Sequence, residues 1–213
     1  MRLTPPADAA IFDFDGVIID SLAPVELAIN GTLRAHGFPA RPATELARFI
    51  GPPTPTALIE LTGAAEGSDA LAAYVATYHD QFERVYLEQT RLIDGIVEVL
   101  DSLAIPLALA TAKEHRFVAP LLERFGLESM FAVVSAPQLS EPKAETVARA
   151  QRALGALGAR DAVVIGDRIY DIEAAHACAL RVIGVTWGVG DRDELRGADI
   201  VIERPAELGA LLG

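Results

Sequence analysis

Short apolar runs at 9–12, 106–110, 131–134, 162–165, 181–185 and 199–202 constrain this chain more than anything else in it. They lack the clean alternation of a half-buried strand, so each suits a strand covered on both faces. Helical patterns at 95–103, 114–125, 144–157 and 171–179 lie between most of them. Strand–helix alternation of this kind predicts an α/β fold, a Rossmann-like parallel sheet with helices on both faces. Right-handed crossovers then bring the ends of the parallel strands to one edge, where open α/β sheets bind their ligands.

Residues 22–89 read differently, with helical periodicity and no convincing strand. Leu71, Val75, Tyr78, Phe82 and Val85 recur at spacings of four, three, four and three, an apolar stripe that core packing explains. The segment Gly51-Pro52-Pro53-Thr54-Pro55 interrupts the helices and marks a tight, stiff turn. The expected organisation is a core of residues 1–20 and 90–213, with an α-helical domain, 21–89, inserted after the first strand.

Polar clusters fall at the strand ends or just beyond them. Asp13 and Asp15 follow the first run, Thr111 the second, Asp167 and Asp171 a later one, and Lys143 opens a helix. Singly, each has an ordinary explanation, since Asp and Thr are common caps and turn formers. Jointly they bring carboxylates, a hydroxyl and an ammonium toward one edge. Carboxylates so concentrated repel one another unless a cation holds them. Hard oxygen donors favour Mg²⁺, which takes one or two carboxylates, waters and a substrate phosphate, and a nearby Lys and Thr suit the phosphate oxygens.

Composition narrows the setting. With 51% hydrophobic and 23% charged residues over 213 positions, the chain can bury a sizeable core. A net charge of −12 argues against a nucleic-acid partner, because no basic stripe faces the phosphates. No apolar run reaches the roughly 18 residues a spanning helix needs, and residues 1–6 lack the apolar stretch of a signal peptide. The expected location is the cytoplasm, away from membranes, as monomer or homodimer. Cys178, the single cysteine, cannot form an internal disulfide and reads as a small buried hydrophobe. The histidines His36, His79, His115 and His176 show no metal-ligand spacing. Of eighteen basic residues only Lys113 and Lys143 are lysines. In a chain that so favours Arg, a lysine is a candidate for a task the guanidinium cannot do, with chance survival as the competing reading.

The motifs resemble those of the haloacid dehalogenase superfamily, in its phosphoglycolate-phosphatase-like branch with a helical cap. The resemblance covers nearly the whole length. Asp13-Phe14-Asp15-Gly16-Val17-Ile18-Ile19-Asp20-Ser21 is close to the family's DxDG[TV]xxDS, and Gly166-Asp167-Arg168-Ile169-Tyr170-Asp171 is a full GDxxxD. Ala110-Thr111-Ala112-Lys113 stands where relatives have Thr-Asn-Lys or Ser-Asn, so Ala112 removes a side-chain amide and leaves its backbone N–H. Pro142-Lys143-Ala144-Glu145 departs from the commoner Lys-Pro-x-Pro, with Lys143 the best match because Lys113 belongs to the second motif. Phe125-Gly126-Leu127 and Ile50-Gly51-Pro52-Pro53 are also family-like.

The resemblance implies a magnesium-dependent phosphatase acting on a small phosphorylated metabolite: phosphoglycolate, a nucleotide, a sugar phosphate or pyrophosphate. It implies Asp13 as nucleophile forming an aspartyl-phosphate, and Asp15 as general acid and then base. Mg²⁺ is then expected on Asp13, the Asp15 backbone carbonyl and Asp167, with Asp171 orienting metal waters or Lys143. Thr111, Lys143 and backbone N–H groups such as that of Ala112 hold the phosphate oxygens. Gly51 and Pro52 form a candidate substrate loop in the cap. Ser21 reads as a helix N-cap or a substrate contact, and Trp187 as a wall of the site or loop packing. Alternatives are a phosphomutase of the β-phosphoglucomutase type, whose relatives tend to carry Glu-Asp in place of Gly166-Asp167, and a non-catalytic binding protein on the same fold. Phosphonatase chemistry needs a cap lysine, and 22–89 has none; Asp15 argues against dehalogenation.

Overall fold

The computed structural model describes residues 3–137 and 141–213; Met1 and Arg2 of the N-terminal segment lie outside them. In chain order the strands are β1 Ala9–Phe12, β2 Ile19–Asp20, β3 Arg91–Leu92, β4 Leu107–Ala110, β5 Val133–Ser135, β6 Ala162–Gly166, β7 Arg181–Val185 and β8 Ile200–Ile202. The helices are α1 Leu22–Ala35, α2 Ala43–Leu46, α3 Thr54–Thr62, α4 Asp69–Gln89, α5 Ile96–Ser102, α6 His115–Phe125, α7 Lys143–Ala156, α8 Ile169–Ala177 and α9 Glu207–Leu212. The chain divides into two compact units, residues 1–19 with 92–213 and residues 20–91.

The larger unit is the expected α/β architecture. Its sheet runs β5-β4-β1-β6-β7-β8, and every pairing is parallel. From β1 the chain builds outward through β4 and β5, then crosses back to β6 and continues the other way. The order therefore reverses beside β1, which opens a crevice at the strand ends. Register aligns the strand ends: Phe12 pairs with Leu109 on one side and Ile165 on the other. Asp13, Thr111 and Asp167 consequently leave the sheet within about one residue of each other.

The apolar runs explain why these segments are strands. β1 is wholly buried, with Ala9 and Ile11 facing α7 and α8 through a cluster that includes Ala108, Val147, Ala150, Val164 and Ile172. Phe12 points the opposite way, edge-on to Phe131 at 6.5 Å between ring centroids. The third run pairs later than its apolar residues suggest: a 3-10 turn at Glu128–Met130 delays the strand, so Phe131 packs ahead of β5. α8 starts at Ile169, earlier than its apolar pattern, and ends at Ala177, leaving half-buried Cys178 just past the helix.

The inserted unit is helical. α1 packs on α4, where Gly31 leaves room for Gln81: a Cβ there would sit 2.9 Å from its amide oxygen. α4 is opened by Ser68, whose Oγ accepts the Leu71 N–H at 3.1 Å. The predicted stripe is buried at Leu71, Tyr78 and Phe82 but only half-buried at Val75 and Val85, with Tyr86 taking the next core position. Asn30 grips the backbone of Arg41 twice, donating to its carbonyl (2.9 Å) and accepting its N–H (2.8 Å). Among the described residues no helix is long and apolar enough to cross a membrane.

Candidate active site

The site is built at the ends of β1, β4 and β6. Asp13 leaves β1 with its N–H bonded to the Ile165 carbonyl at 2.9 Å, which ties the loop to the neighbouring strand. The chain then folds back on itself. Ile18 and Ile19 both donate to the Phe14 carbonyl, and Gly16 N–H reaches Ile19 O at 2.7 Å. Gly16 takes a positive φ of 79° in this turn, and a Cβ there would lie 2.2 Å from Asp167 Oδ2.

Lys143 is the first residue of α7, behind Pro142. A cation at a helix N-terminus opposes the helix dipole, so something else must favour it there. That something is a pair of carboxylates: Nζ is ion-paired with Asp13 Oδ1 and, at 2.9 Å, with Asp171 Oδ1. The Asp171 side chain also accepts the Arg168 N–H at 3.1 Å, closing the first turn of α8. Glu194 supports the same turn from outside, taking Arg168 Nε at 2.8 Å and the Ile169 N–H at 3.2 Å on one oxygen. Arg168 is thus buried in packing, with its guanidinium over the Tyr170 ring, while Tyr170 itself is exposed.

Asp167 is fully buried. Its Oδ2 accepts the Val189 N–H at 2.8 Å from the loop after β7, and its Oδ1 has no hydrogen-bond partner among the described residues. That loop comes so close that only glycine fits. A Cβ on Gly188 would lie 2.2 Å from Asp167 Oδ2, and one on Gly190 only 1.9 Å from the Asp167 carbonyl oxygen. Trp187 belongs to the same loop and donates Nε1–H to the Val17 carbonyl at 3.2 Å, so it packs one loop on another.

Carboxylate oxygens of Asp13, Asp167 and Asp171 lie within 4.8 Å of one another. Burial pushes the Asp13 carboxyl well above its ordinary value, with Asp171 and Asp167 adding to the rise and Lys143 opposing it. Burial and the nearby Asp171 likewise push Asp167 up to about 7. Burial works against the Lys143 charge, yet the facing Asp13 and Asp171 outweigh it and hold the ammonium protonated. An unpartnered buried oxygen among crowded carboxylates fits a hard divalent cation and suits Mg²⁺ better than a thiophilic metal.

On the other side of β1, Thr111 is buried, its N–H on the Ser135 carbonyl at 3.1 Å. Its Oγ1 accepts the Lys113 N–H at 3.0 Å, which leaves the hydroxyl hydrogen free to donate to an anion. Ala112 is half-buried between them. Asp15 does not join the three clustered carboxylates; its Oδ1 is ion-paired with Lys113 Nζ at 3.1 Å.

Every core residue singled out from the sequence therefore stands on this one edge. Gly51, with φ of 104°, and Pro52 lie in the inserted unit, in the turn between a 3-10 helix at Ala47–Phe49 and α3. Ser21 occupies the N-cap position of α1 without capping it; Asp20 Oδ1 accepts the Leu22 N–H instead, at 2.9 Å. Sequence reasoning missed Gly188, Val189 and Gly190 around Asp167, although paired glycines directly after a buried strand are a readable sign of close backbone approach. It also left Lys113 without a role.

A doubly wound parallel sheet that ends in an aspartate-rich, lysine-bridged edge defines the class, an α/β fold with its polar site at the strand ends. The chain belongs to the haloacid dehalogenase-like hydrolase family, whose profile matches residues 10–185. It is 31% identical to the phosphoglycolate phosphatase of Pectobacterium atrosepticum, over 95% of this chain and 91% of that one. It is 28% identical to a 5'-nucleotidase of Pseudomonas aeruginosa, over 87% of this chain and 86% of the other. A predicted phosphatase from Clostridium acetobutylicum shares the fold with a TM-score of 0.85 at 28% identity, covering 96% of this chain and 97% of that one.

Proposed function

We propose that this haloacid dehalogenase-family phosphatase uses Mg²⁺ and Asp13 to hydrolyse a small phosphorylated metabolite through an aspartyl-phosphate. The observation that carries the reading is the Lys143 ammonium set between Asp13 and Asp171, beside the unpartnered Oδ1 of Asp167. An anionic nucleophile meets an anionic phosphate only where positive charge has been arranged in advance.

Asp13 attacks phosphorus, and the leaving oxygen takes its proton from Asp15. Water then attacks the aspartyl-phosphate, and Asp15 accepts the proton that water releases. Lys143, the Thr111 hydroxyl and the Ala112 N–H bind the phosphate oxygens. Asp13, Asp167 and the Asp15 carbonyl would hold the metal, with Asp171 orienting Lys143. Bound Mg²⁺ supplies the charge neutralisation that lets the carboxylate approach the phosphate. Relatives named for phosphoglycolate and for 5'-nucleotides support a small phosphomonoester, with Gly51 and Pro52 as the proposed substrate-selecting turn.

A hydrolysis screen over phosphorylated metabolites, with Mg²⁺ or with EDTA, tests this directly. Phosphate release that depends on Mg²⁺, together with a hydroxylamine-labile phosphoryl label that Asp13→Asn abolishes, is expected. Activity surviving Asp13→Asn sinks the assignment of the nucleophile.

A further inference from the structure

Lys113 is the other of the chain's only two lysines, and the proposed reaction gives it nothing to do. Thr111 Oγ1 holds the Lys113 N–H at 3.0 Å, turning the chain after β4. The Lys113 side chain then runs inward, 9% exposed, and its Nζ meets Asp15 Oδ1 at 3.1 Å, with the Asp15 side chain 12% exposed. An ion pair this far out of water is expensive to desolvate, so its presence calls for a reason beyond stability. The two lysines ion-pair with different carboxylates. Lys143 serves Asp13 and Asp171, whereas Lys113 serves Asp15.

We propose that Lys113 is the positioning residue for Asp15, fixing one carboxyl oxygen so that the other faces the leaving group. The inference rests on the reading of Asp15 as acid and base. Left alone, a short carboxylate side chain beside three others is repelled from them and free to turn. An ammonium is a point charge that can engage a single carboxyl oxygen, here Oδ1, without gripping the other. A guanidinium is a fork that grips both oxygens of a carboxylate. That difference accounts for a lysine here in a chain that uses Arg nearly everywhere else. As the bond from phosphorus to the leaving oxygen breaks, the proton on the open Asp15 oxygen passes to the departing oxygen. As water adds to phosphorus and the bond to Asp13 breaks, a proton from water returns to the same Asp15 oxygen.

The test is leaving-group dependence in rapid-mixing kinetics. A p-nitrophenyl phosphate departs as a stable anion and needs no proton, while an alkyl phosphate does need one. Lys113→Met is expected to keep the first-turnover burst of p-nitrophenolate within a few-fold of wild type. Its first-turnover release of alkyl alcohol should fall by about a hundredfold, the low end of a general acid's worth. Lys113→Arg retains the charge and so guards against loss of folding; it should show the same selective loss. Equal losses for both substrates would mean a merely structural lysine, and full alkyl activity in either variant overturns the proposal outright. Failure of the underlying reading looks different: wild type then turns over neither substrate, or Asp13→Asn still shows a burst, and the inference falls with it.

Discussion

In the inserted unit, α4 turns Tyr78, Phe82 and Tyr86 inward, and their rings stack with centroids 5.7 and 5.5 Å apart. At the strand-end edge of the other unit, Asp13, Asp167 and Asp171 crowd within 4.8 Å and one buried Asp167 oxygen goes unpartnered among the described residues. The first region buries apolar area along its stripe. The second crowds carboxylates where burial disfavours their charge, and its proposed Mg²⁺ would relieve that crowding. A carboxylate kept in such a place weakens the fold, so mutations in the two regions should part company.

The largest effect is expected from Asp13→Asn. Loss of the proposed covalent nucleophile should lower kcat by at least about 10⁴-fold, as nucleophile deletions do elsewhere. The same change removes a buried carboxylate whose surroundings disfavour its charge, so the metal-free protein should melt at a higher temperature than wild type. Calorimetry in EDTA checks the second half. A clear drop in melting temperature would mean that the Lys143 pair outweighs the burial and the repulsion.

Phe82→Ala sharpens the contrast from the other side. Phe82 is 3% exposed and stacked on both faces. Its truncation should cost about 3–5 kcal/mol, read as a fall in the urea midpoint. A loss below about 1 kcal/mol would show that the stripe is not what holds this unit together.

What could be read in advance divides along the same line. Buried parallel strands announce themselves as apolar runs, and the residues stepping off them, Asp13, Thr111 and Asp167, inherit their placement from register. Lys143 was legible because lysine is so scarce in this Arg-favouring chain that one opening a helix asks for a reason. Strand and helix ends were less legible. β5 slips past Phe131 because a 3-10 turn precedes it, and α8 starts early because Glu194, distant in sequence, takes the Ile169 N–H. Ser21 misled for a similar reason: the preferred capping residue stands at the right position while its neighbour Asp20 makes the bond. The glycine loop around Asp167 and the Lys113–Asp15 pair depend on side chains brought together only by the completed sheet.

That glycine loop gives the next test. Gly190→Ala places a Cβ 1.9 Å from the Asp167 carbonyl oxygen, so the loop and the proposed metal ligand must separate, and the Val189 N–H would leave Oδ2. Supports behind metal ligands are typically worth about 10–100-fold in affinity, so Mg²⁺ binding by calorimetric titration should weaken by that factor. Unchanged Mg²⁺ affinity would show that the loop does not position Asp167 for the metal.

The last effect builds up gradually with pH and is the most direct measure of what the crowded edge costs. Asp167 is pushed up to about 7 by burial and by Asp171, from an ordinary 3.8. Across the window between those values the folded state keeps a proton that the unfolded chain has released. Its contribution to stability is therefore full below the lower value and is lost as pH rises toward the upper one. The slope for one such group is at most about 1.4 kcal/mol per pH unit. Because other carboxylates, such as Asp8, are shifted downward and act in the opposite sense, the quantity to follow is wild type relative to Asp167→Asn. In EDTA, urea titrations should show the Asn variant gaining on wild type as pH climbs through this window. The proposed Mg²⁺ site takes the carboxylates deprotonated, so added Mg²⁺ should stabilise wild type increasingly over the same range. A gap between the two proteins that stays constant with pH would mean that Asp167 carries no such burden in the folded state.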